Sequence, residues 1–453
     1  MSWINTADDL VRNLAEGQQS ASVEEGMSAG QALIRKGLIR QIRDVEIISR
    51  PMPLFGSVAL IGGQYPTGRF LSPRICGGSA FTRDEARVRA YGEAAERYCA
   101  AFYDESNLRL DSYRNLQADA VSPDAFALYS REQYEFSGFE YRPFLKDTRV
   151  NWVQGYSVTR QRPVFVPAAF VYLPYWPVGT ETPIGLFPST GLACGRSFLE
   201  ATLRGIFEVI ERDAIMLMWL NRVAAQRIDP GTLADARVRE LAGSSENGAI
   251  KIFDITTDVR IPTRFALLTD SYRGRSLVSC GAATNWRSET AAEKALMEAL
   301  VVRRAVQKII KTYPPRNYGK DYQKVREIDD HLNFYTDPDR MSALDFLTRM
   351  NELPDIQSDT SMPGREFSDQ LRACLGLLAD RNLEAIVVDV TRPEVAETGL
   401  CVVRVMIPGM TPLTFGAGYV CAAGRRLTEV PRALGYGVPD GKVRLNPVPH
   451  PFA

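Results

Sequence analysis

Two carboxylates three residues apart, with an arginine directly after the second, occur twice in this chain. The copies are Glu93-Ala-Ala-Glu96-Arg97 and Glu208-Val-Ile-Glu211-Arg212, 115 residues apart. Residues three apart on a helix share a face, so each copy projects two carboxylates the same way, about one turn above each other. Four like charges on two similar helices would repel by several kcal/mol in a partly dry site, on the order given by Coulomb's law. A hard divalent cation removes that repulsion. An all-oxygen donor set without histidine or thiolate selects magnesium or calcium over zinc, and magnesium in enzymes bridges carboxylates to substrate phosphates. The plainer alternative is two solvated helix faces with local Glu–Arg pairs, each worth only ~0.3–0.5 kcal/mol. Duplication weakens that alternative, because the helix-start signals Thr82-Arg-Asp-Glu85 and Ser197-Phe-Leu-Glu200 repeat at the same offset and both read as capping boxes.

The helices that must carry these groups are therefore expected over 82–103 and 197–220. Cys76-Gly-Gly-Ser79-Ala leads into the first, where two glycines would let the backbone approach a phosphate at the helix N-terminus, although Gly-Gly-Ser also serves any tight turn. The loop over 188–196 leads into the second. There Glu200 has two readings, as the carboxylate of the capping box or as a ligand to a hydroxyl such as a ribose. A third helix is expected from about 288 to 311, capped by Thr290-Ala-Ala-Glu293. It carries Glu298 as a candidate fifth oxygen ligand and Arg303 as a candidate phosphate clamp, or Glu298 simply pairs with Lys294 four residues before it.

Strands are expected at 151–158, 163–173, 250–257, 265–270 and 276–283. The stretch 384–391 resembles 250–257, with Asp389 answering Asp254, and 401–408 answers 263–270 less closely. These similarities and the twin helices predict an α+β fold built from a duplicated α/β unit, with helices packed on antiparallel sheets. Residues 1–54 read as a helical leader and partner-docking region, amphipathic over 7–15 and 31–40, ahead of a main domain over 55–453. Residues 104–150 and 312–372 read as peripheral and loop-rich. The chain ends Asn446-Pro-Val-Pro-His-Pro-Phe-Ala453. Alternating prolines hold such a tail extended at low entropic cost, and threaded into a site its terminal carboxylate would serve as a base.

Composition narrows the classes. The 453 residues hold 54 basic and 54 acidic side chains, a balance that argues against a nucleic-acid or membrane-surface protein. The first residues show neither a basic n-region nor an apolar run, and a cytoplasmic enzyme is the expectation. Seven scattered cysteines without a Cys-x-x-Cys pair give neither a disulfide framework nor a structural zinc. With only His331 and His450, acid and base work falls to carboxylates, lysines or a chain terminus.

Several of these stretches together resemble the YcaO-domain family: Arg89-Ala-Tyr-Gly-Glu93-Ala-Ala-Glu96-Arg97-Tyr98, Ser189-Thr-Gly-Leu-Ala-Cys-Gly195 with Glu200, Glu208-Val-Ile-Glu211-Arg212-Asp213, Ala295-Leu-Met-Glu298, and the proline-rich end. Val153-Gln-Gly-Tyr-Ser157 and Trp219-Leu-Asn-Arg222 resemble the subgroup that makes azole rings in ribosomal peptides, the bacteriocin and antibiotic class. The resemblance implies a YcaO-type fold holding ATP and magnesium without a Walker-type loop. It implies magnesium on Glu93, Glu96, Glu208, Glu211 and Glu298, and nucleotide contacts from Glu200, Arg97, Arg212, Arg303 and Ser79. It implies an active-site role for Pro447, Pro449, Pro451 and the Ala453 carboxylate. The implied reaction is cyclodehydration, in which Cys, Ser or Thr of a precursor peptide adds to the preceding amide carbonyl and ATP phosphorylates the amide oxygen, giving a thiazoline or oxazoline.

The family's fused ThiF-like domain is not recognised in the sequence. The implied partners are therefore a separate ThiF-like leader-peptide-binding protein and a flavin-dependent azoline dehydrogenase, in a hetero-oligomer without nucleic acid or membrane. Arg89 stands where the family usually has serine, Thr190 and Arg196 where asparagine is common, and Val301 where glutamine is usual. Thioamide or amidine formation by the same ATP chemistry, and a non-catalytic scaffold role within a synthetase, are the competing readings.

Overall fold

A computed structural model describes residues 22–48, 53–63, 74–185, 187–243, 248–319, 322–348, 362–436 and 444–452. The chain divides into two compact units, one of residues 1–45, 55–209 and 362–410, the other of residues 46–54, 210–361 and 411–453.

The first unit opens with helix α1 (Val23–Arg35), whose Ser22 cap accepts from Glu25 N while Glu25 reaches back to Ser22 N. Strands β1 (Ile39–Ile48), β2 (Leu54–Ile61) and β3 (Ile75–Ala80) form a sheet in that order. The helical reading of 31–40 therefore ends at Arg35, because beyond Gly37, at φ +73°, the alternating Ile39-Arg-Gln-Ile-Arg-Asp-Val pairs as a strand. The amphipathic stretch 7–15 lies outside the described residues. Helix α2 (Arg83–Ala101) starts on Thr82, whose hydroxyl accepts from Glu85 N.

Strands β4 (Arg109–Ser112), β5 (Arg149–Ser157), β6 (Arg162–Pro167), β7 (Leu192–Gly195), β12 (Ile386–Asp389) and β13 (Cys401–Met406) build a six-stranded sheet, ordered β4-β5-β12-β13-β7 with β6 on β5. The predicted loop 188–196 thus contains a short strand. Leu-Ala-Cys-Gly carries no alternating pattern to announce it, and its pairing with β13 makes it one. Trp152, Phe170, Val166, Val387 and Val403 fill this core. Helix α3 (Phe198–Asn221) begins in the first unit and ends in the second.

In the second unit β8 (Gln226–Ile228), β9 (Ala249–Asp254), β10 (Thr263–Tyr272) and β11 (Arg275–Thr284) form an antiparallel sheet. β10 and β11 are joined by Arg273-Gly274, both at positive φ, the two-residue turn whose twist matches a hairpin. Helix α4 (Ser288–Thr312) packs on β11, followed by helix α5 (Ile328–Phe334). The predicted Thr290–Glu293 box does not start α4, whose N-cap is Arg287; Ser288 instead receives Arg264, and Glu293 lies 3.5 Å from Arg237.

The expected internal repeat is present. The sets β9-β10-β11-α4 and β12-β13-β7-α3 share strand order and direction, and Asp254 and Asp389 each accept from the backbone N two residues on, at 2.9 Å. The strand–helix arrangement recurs a third time as β1-β2-β3-α2. Its signature is a strand glycine pressed on the helix backbone. A Cβ at Gly78 would lie 2.3 Å from Ala86 O and 2.4 Å from Ala90 N, and one at Gly281 would lie 2.2 Å from Ala295 O and 2.6 Å from Ala299 N. Gly78 therefore lets a strand and a helix approach closely.

Candidate functional site

In the first unit, the face of α2 that carries the acid pair is fixed by strand backbone. Glu93 Oε2 accepts from Gly77 N at 2.6 Å, and Glu96 Oε1 accepts from Cys194 N on β7 at 2.7 Å. Burial pushes the Glu96 carboxyl up to about 8, and the Glu208 and Glu93 carboxylates push the same way; the Cys194 N–H and Arg97 only partly oppose them. Arg97, half-buried, lies 3.4 Å from Glu93. Burial works against its charge, yet the surrounding acids, Glu93 foremost, hold it above its ordinary value.

A cation that sequence reading passed over stands behind this group. Arg404 on β13 is 1% exposed, with Nε donating to Phe170 O at 3.1 Å and Nη2 to Pro188 O at 2.7 Å. Burial lowers its pKa to about 10, while Glu208 supports the charge. The available signal was an arginine inside Val402-Val403-Arg404-Val405, a charge within an apolar strand.

Glu200 is 3% exposed and ties down the start of α3. Its N donates to Ser197 Oγ at 3.1 Å, its Oε2 accepts from Arg196 N at 2.8 Å, and its Oε1 pairs with Arg204 at 2.6 Å. Its carboxylate is thus held by the backbone N–H one residue before Ser197 and by Arg204. Ser79 sits on β3, where its carbonyl accepts from Arg89 at 2.6 Å.

The second unit carries the other predicted groups. Glu298 Oε2 accepts from Ala282 N at 2.7 Å, so this carboxylate too is oriented by the strand beneath its helix. Arg303 is paired with Asp270 at 2.6 Å. Glu211 lies 3.2 Å from Arg212, whose guanidinium covers the Phe452 ring at 4.6 Å. The C-terminal segment is threaded into this unit: Pro447 is exposed, while Pro449, Pro451 and Phe452 are buried. Ala453 lies outside the described residues. Both histidines serve here as neutral packing groups, with ring centroids 4.4 Å apart. Burial lowers His331 well below its ordinary value and His450 to about 4. All seven cysteines are free thiols, most of them buried.

Among the described residues no three His, Cys, Asp or Glu side chains are already gathered as metal ligands. Glu96 lies within range of the charges of both Glu208 and Glu93. In the first unit Glu93 and Glu96 fit a hard cation in two respects: their donors are all oxygen, and both are aimed by backbone N–H groups, the orienting contacts that ligating carboxylates need.

Comparison with known proteins gives the arrangement a family. Residues 77–411 match the model of the YcaO cyclodehydratases, described as ATP- and Mg2+-binding. An uncharacterised protein of Methanothermobacter thermautotrophicus is 27% identical over 370 residues, 79% of this chain and 86% of that protein. Among solved structures, a heterocyclase in complex with substrate and cofactor aligns with a TM-score of 0.73 and 21% identity, covering 94% of this chain; the chain spans 57% of that heterocyclase's length. The YcaO protein of Methanopyrus kandleri, bound with AMPPCP and Mg2+, aligns with a TM-score of 0.62 and 21% identity over 87% of this chain and 93% of that one. No helix among the described residues is long and apolar enough to cross a membrane. The α+β fold with its antiparallel sheets, the strand-anchored glutamates and the match over most of the chain lead to one conclusion: this protein belongs to the YcaO family, whose members bind ATP and Mg2+.

Proposed function

We propose that this chain is the ATP-dependent cyclodehydratase subunit of a peptide-modifying synthetase in the cytoplasm. The observation that carries the reading is Glu96, pinned by the Cys194 N–H between Glu93 and Glu208 with its carboxyl raised to about 8. Such a group is costly to ionise unless a cation accompanies it.

In this reading Glu93, Glu96, Glu208, Glu211 and Glu298 hold magnesium, which when bound neutralises the charge that builds on the phosphates during transfer. Arg97, Arg212 and Ser79 face the nucleotide, and Arg303 exchanges Asp270 for a phosphate oxygen. Glu200 acts through its cap on α3, which sets the register of Glu208 and Glu211 further along that helix. A Cys, Ser or Thr side chain of the precursor adds to the preceding amide carbon. The Ala453 carboxylate, at the end of the segment stiffened by Pro447, Pro449 and Pro451, takes the proton that this side chain loses. The amide oxygen attacks the γ-phosphorus of ATP and ADP departs; the nitrogen then forms the C=N bond of the azoline and gives up its proton as the C–O bond breaks and phosphate is released. An amide oxygen is a poor leaving group and a phosphate a good one, which is why ATP is spent on it.

A leader-binding protein of ThiF-like type delivers the peptide in this reading, and a flavin enzyme oxidises azoline to azole. The experiment combines chain, partner, ATP and precursor peptide and weighs the product. Loss of one water per ring supports azoline formation. Exchange of oxygen for sulfur or nitrogen instead assigns thioamide or amidine formation, and peptide processing without ATP turnover by this chain assigns a scaffold. Replacing Glu208 and Glu211 by Gln is expected to abolish ATP turnover; unchanged turnover refutes their role.

A further inference from the structure

The C-terminal segment is held in an unusual way. Proline at 447, 449 and 451 removes three N–H donors, so the segment can bond chiefly through its carbonyls. Three successive carbonyls are taken by three different aromatic side chains. Trp219 Nε1–H donates to Val448 O at 2.7 Å, Tyr335 O–H to Pro449 O at 2.6 Å, and His331 Nδ1–H to His450 O at 2.8 Å. The tautomer of His331 follows from its other nitrogen, which accepts from Gly416 N at 3.0 Å and so carries no proton. Further bonds fix the two ends: Asn446 N donates to Leu220 O at 2.7 Å, and His450 Nε2–H to Thr414 O at 2.9 Å. Beyond the last clamped carbonyl, Phe452 is 1% exposed and lies under the Arg212 guanidinium.

A C-terminus needs no such apparatus merely to be buried, since apolar contact alone would hold Phe452 in the core formed by Trp219, Tyr335, Phe346 and Leu347. Side-chain donors on successive carbonyls fix the segment's axial position and rotation. What they fix it against is Arg212, the arginine of the second acid motif, beside Glu211. We propose that Trp219, Tyr335 and His331 are positioning residues that lock the C-terminal segment so that the Phe452 ring sets the orientation of the Arg212 guanidinium toward its anionic ligand. A guanidinium is planar by its own delocalisation, and a ring face held beneath it limits how that plane can tilt, which keeps its N–H fork aimed for bidentate recognition of a phosphate. The identity of that ligand as an ATP phosphate rests on the function proposed above; the lock itself does not.

The test uses the full chain and two readouts. Tyr335→Phe and Trp219→Phe each remove one donor while keeping an aromatic ring, and their double variant removes two; Phe452→Leu removes the stacked ring and Phe452→Tyr restores it. Selective arginine 15N labelling reports the ring-shifted Nε–H signal of Arg212 without any nucleotide. The expected result is a signal displaced in the wild type and in Phe452→Tyr, and collapsed toward the solvent-exposed position in Phe452→Leu and in the Tyr335→Phe/Trp219→Phe double variant. The same two collapsed variants are expected to bind Mg2+–AMPPCP about threefold to tenfold more weakly, the size of one lost hydrogen-bonding geometry, while still folding, at a lowered melting temperature because buried carbonyls lose their donors or the core loses volume. An Arg212 signal unmoved by the double variant overturns the lock. If the wild type binds no AMPPCP, the nucleotide reading fails while the resonance still decides whether the clamp orients Arg212.

Discussion

Helices α2 and α3 dock on their strands by the same contacts with the charges reversed. On α2, Arg89 donates to the carbonyl of Ser79, one residue past the strand glycine, and Glu93 accepts from the N–H of Gly77, one residue before it. On α3, Glu200 accepts from the N–H of Arg196, one past Gly195, and Arg204 donates to the carbonyl of Cys194, one before it. A Cβ at Gly195 would meet Ser197 O and Ala201 N, the same pair of helix positions that Gly78 meets as Ala86 O and Ala90 N. Docking thus aligns Arg89 with Glu200 and Glu93 with Arg204, whereas the repeated acid motif aligns Glu93 with Glu208. The two alignments differ by four residues, close to one turn, so they preserve the helix face and change the height along it. The repeated motif therefore marks where carboxylates are presented, and the glycine cradle separately marks where each helix rests. The reversal also divides the glutamates by task. Glu200 has one oxygen on Arg196 N and the other on Arg204, while Glu96 uses Oε1 for Cys194 N and is crowded by two further acids.

The widest separation of these roles is expected in metal-dependent binding. Glu96→Gln should weaken Mg2+–AMPPCP binding on the order of a hundredfold, at least as much as losing a contact that orients a ligand, while Glu200→Gln should change it several-fold at most; calorimetric titration of both variants would merge or separate the two classes. The cradle itself is tested by Gly78→Ala against its neighbour Gly77→Ala. A Cβ at 78 meets helix backbone at 2.3 Å, whereas one at 77 meets nothing nearer than Ser57 O at 3.9 Å. Denaturant unfolding should show a loss of about 1–3 kcal/mol for the first, the usual cost of overpacking, and a much smaller change for the second.

The pH dependence follows from Glu96. Its pKa is 4.5 ordinarily and about 8 in the fold, so between those values the folded chain retains a proton that the unfolded chain has released. Its contribution to the stability of the metal-free protein therefore falls as pH rises through this window and levels off above it. Thermal melts across that range should lose this slope in Glu96→Gln. The smallest effect is expected for Glu200→Gln on stability, about 1 kcal/mol for a weakened cap, read as a modest drop in melting temperature.

The helices were legible because their signals are local. The Thr82 and Ser197 starts and the carboxylates spaced at three place α2 and α3 within a residue or two. The third helix was also placed, from about 288, but its cap was not: Thr290 has the spacing of a capping box, whereas the N-cap is Arg287 and Ser288 is held by Arg264 from β10. Strand β1 was hidden because Leu38 and Ile39 continue the apolar spacing of α1 past Gly37, where the chain has already left the helix. Strand β7 has small residues and no alternation, and only its partner β13 reveals it. The paired glutamates could be read as ligands from type and spacing, but their anchors could not, because Gly77, Cys194 and Ala282 contribute only backbone N–H groups that carry no sequence signature. Arg404 escaped for the opposite reason: its charge is visible, but its burial behind the acids is set by the packing of a sheet whose strands come from four separate stretches of chain.

The central claim is that anchored acids on α2 recruit the nucleotide through a divalent cation. It is tested most directly by titrating Mg2+–AMPPCP into the full chain and into the Glu93→Gln/Glu96→Gln double variant, each with and without magnesium. The account predicts binding to the wild type only when magnesium is present, and none to the double variant although its circular dichroism and melting transition show it folded. Equal binding by a folded double variant, or wild-type binding indifferent to magnesium, would contradict it.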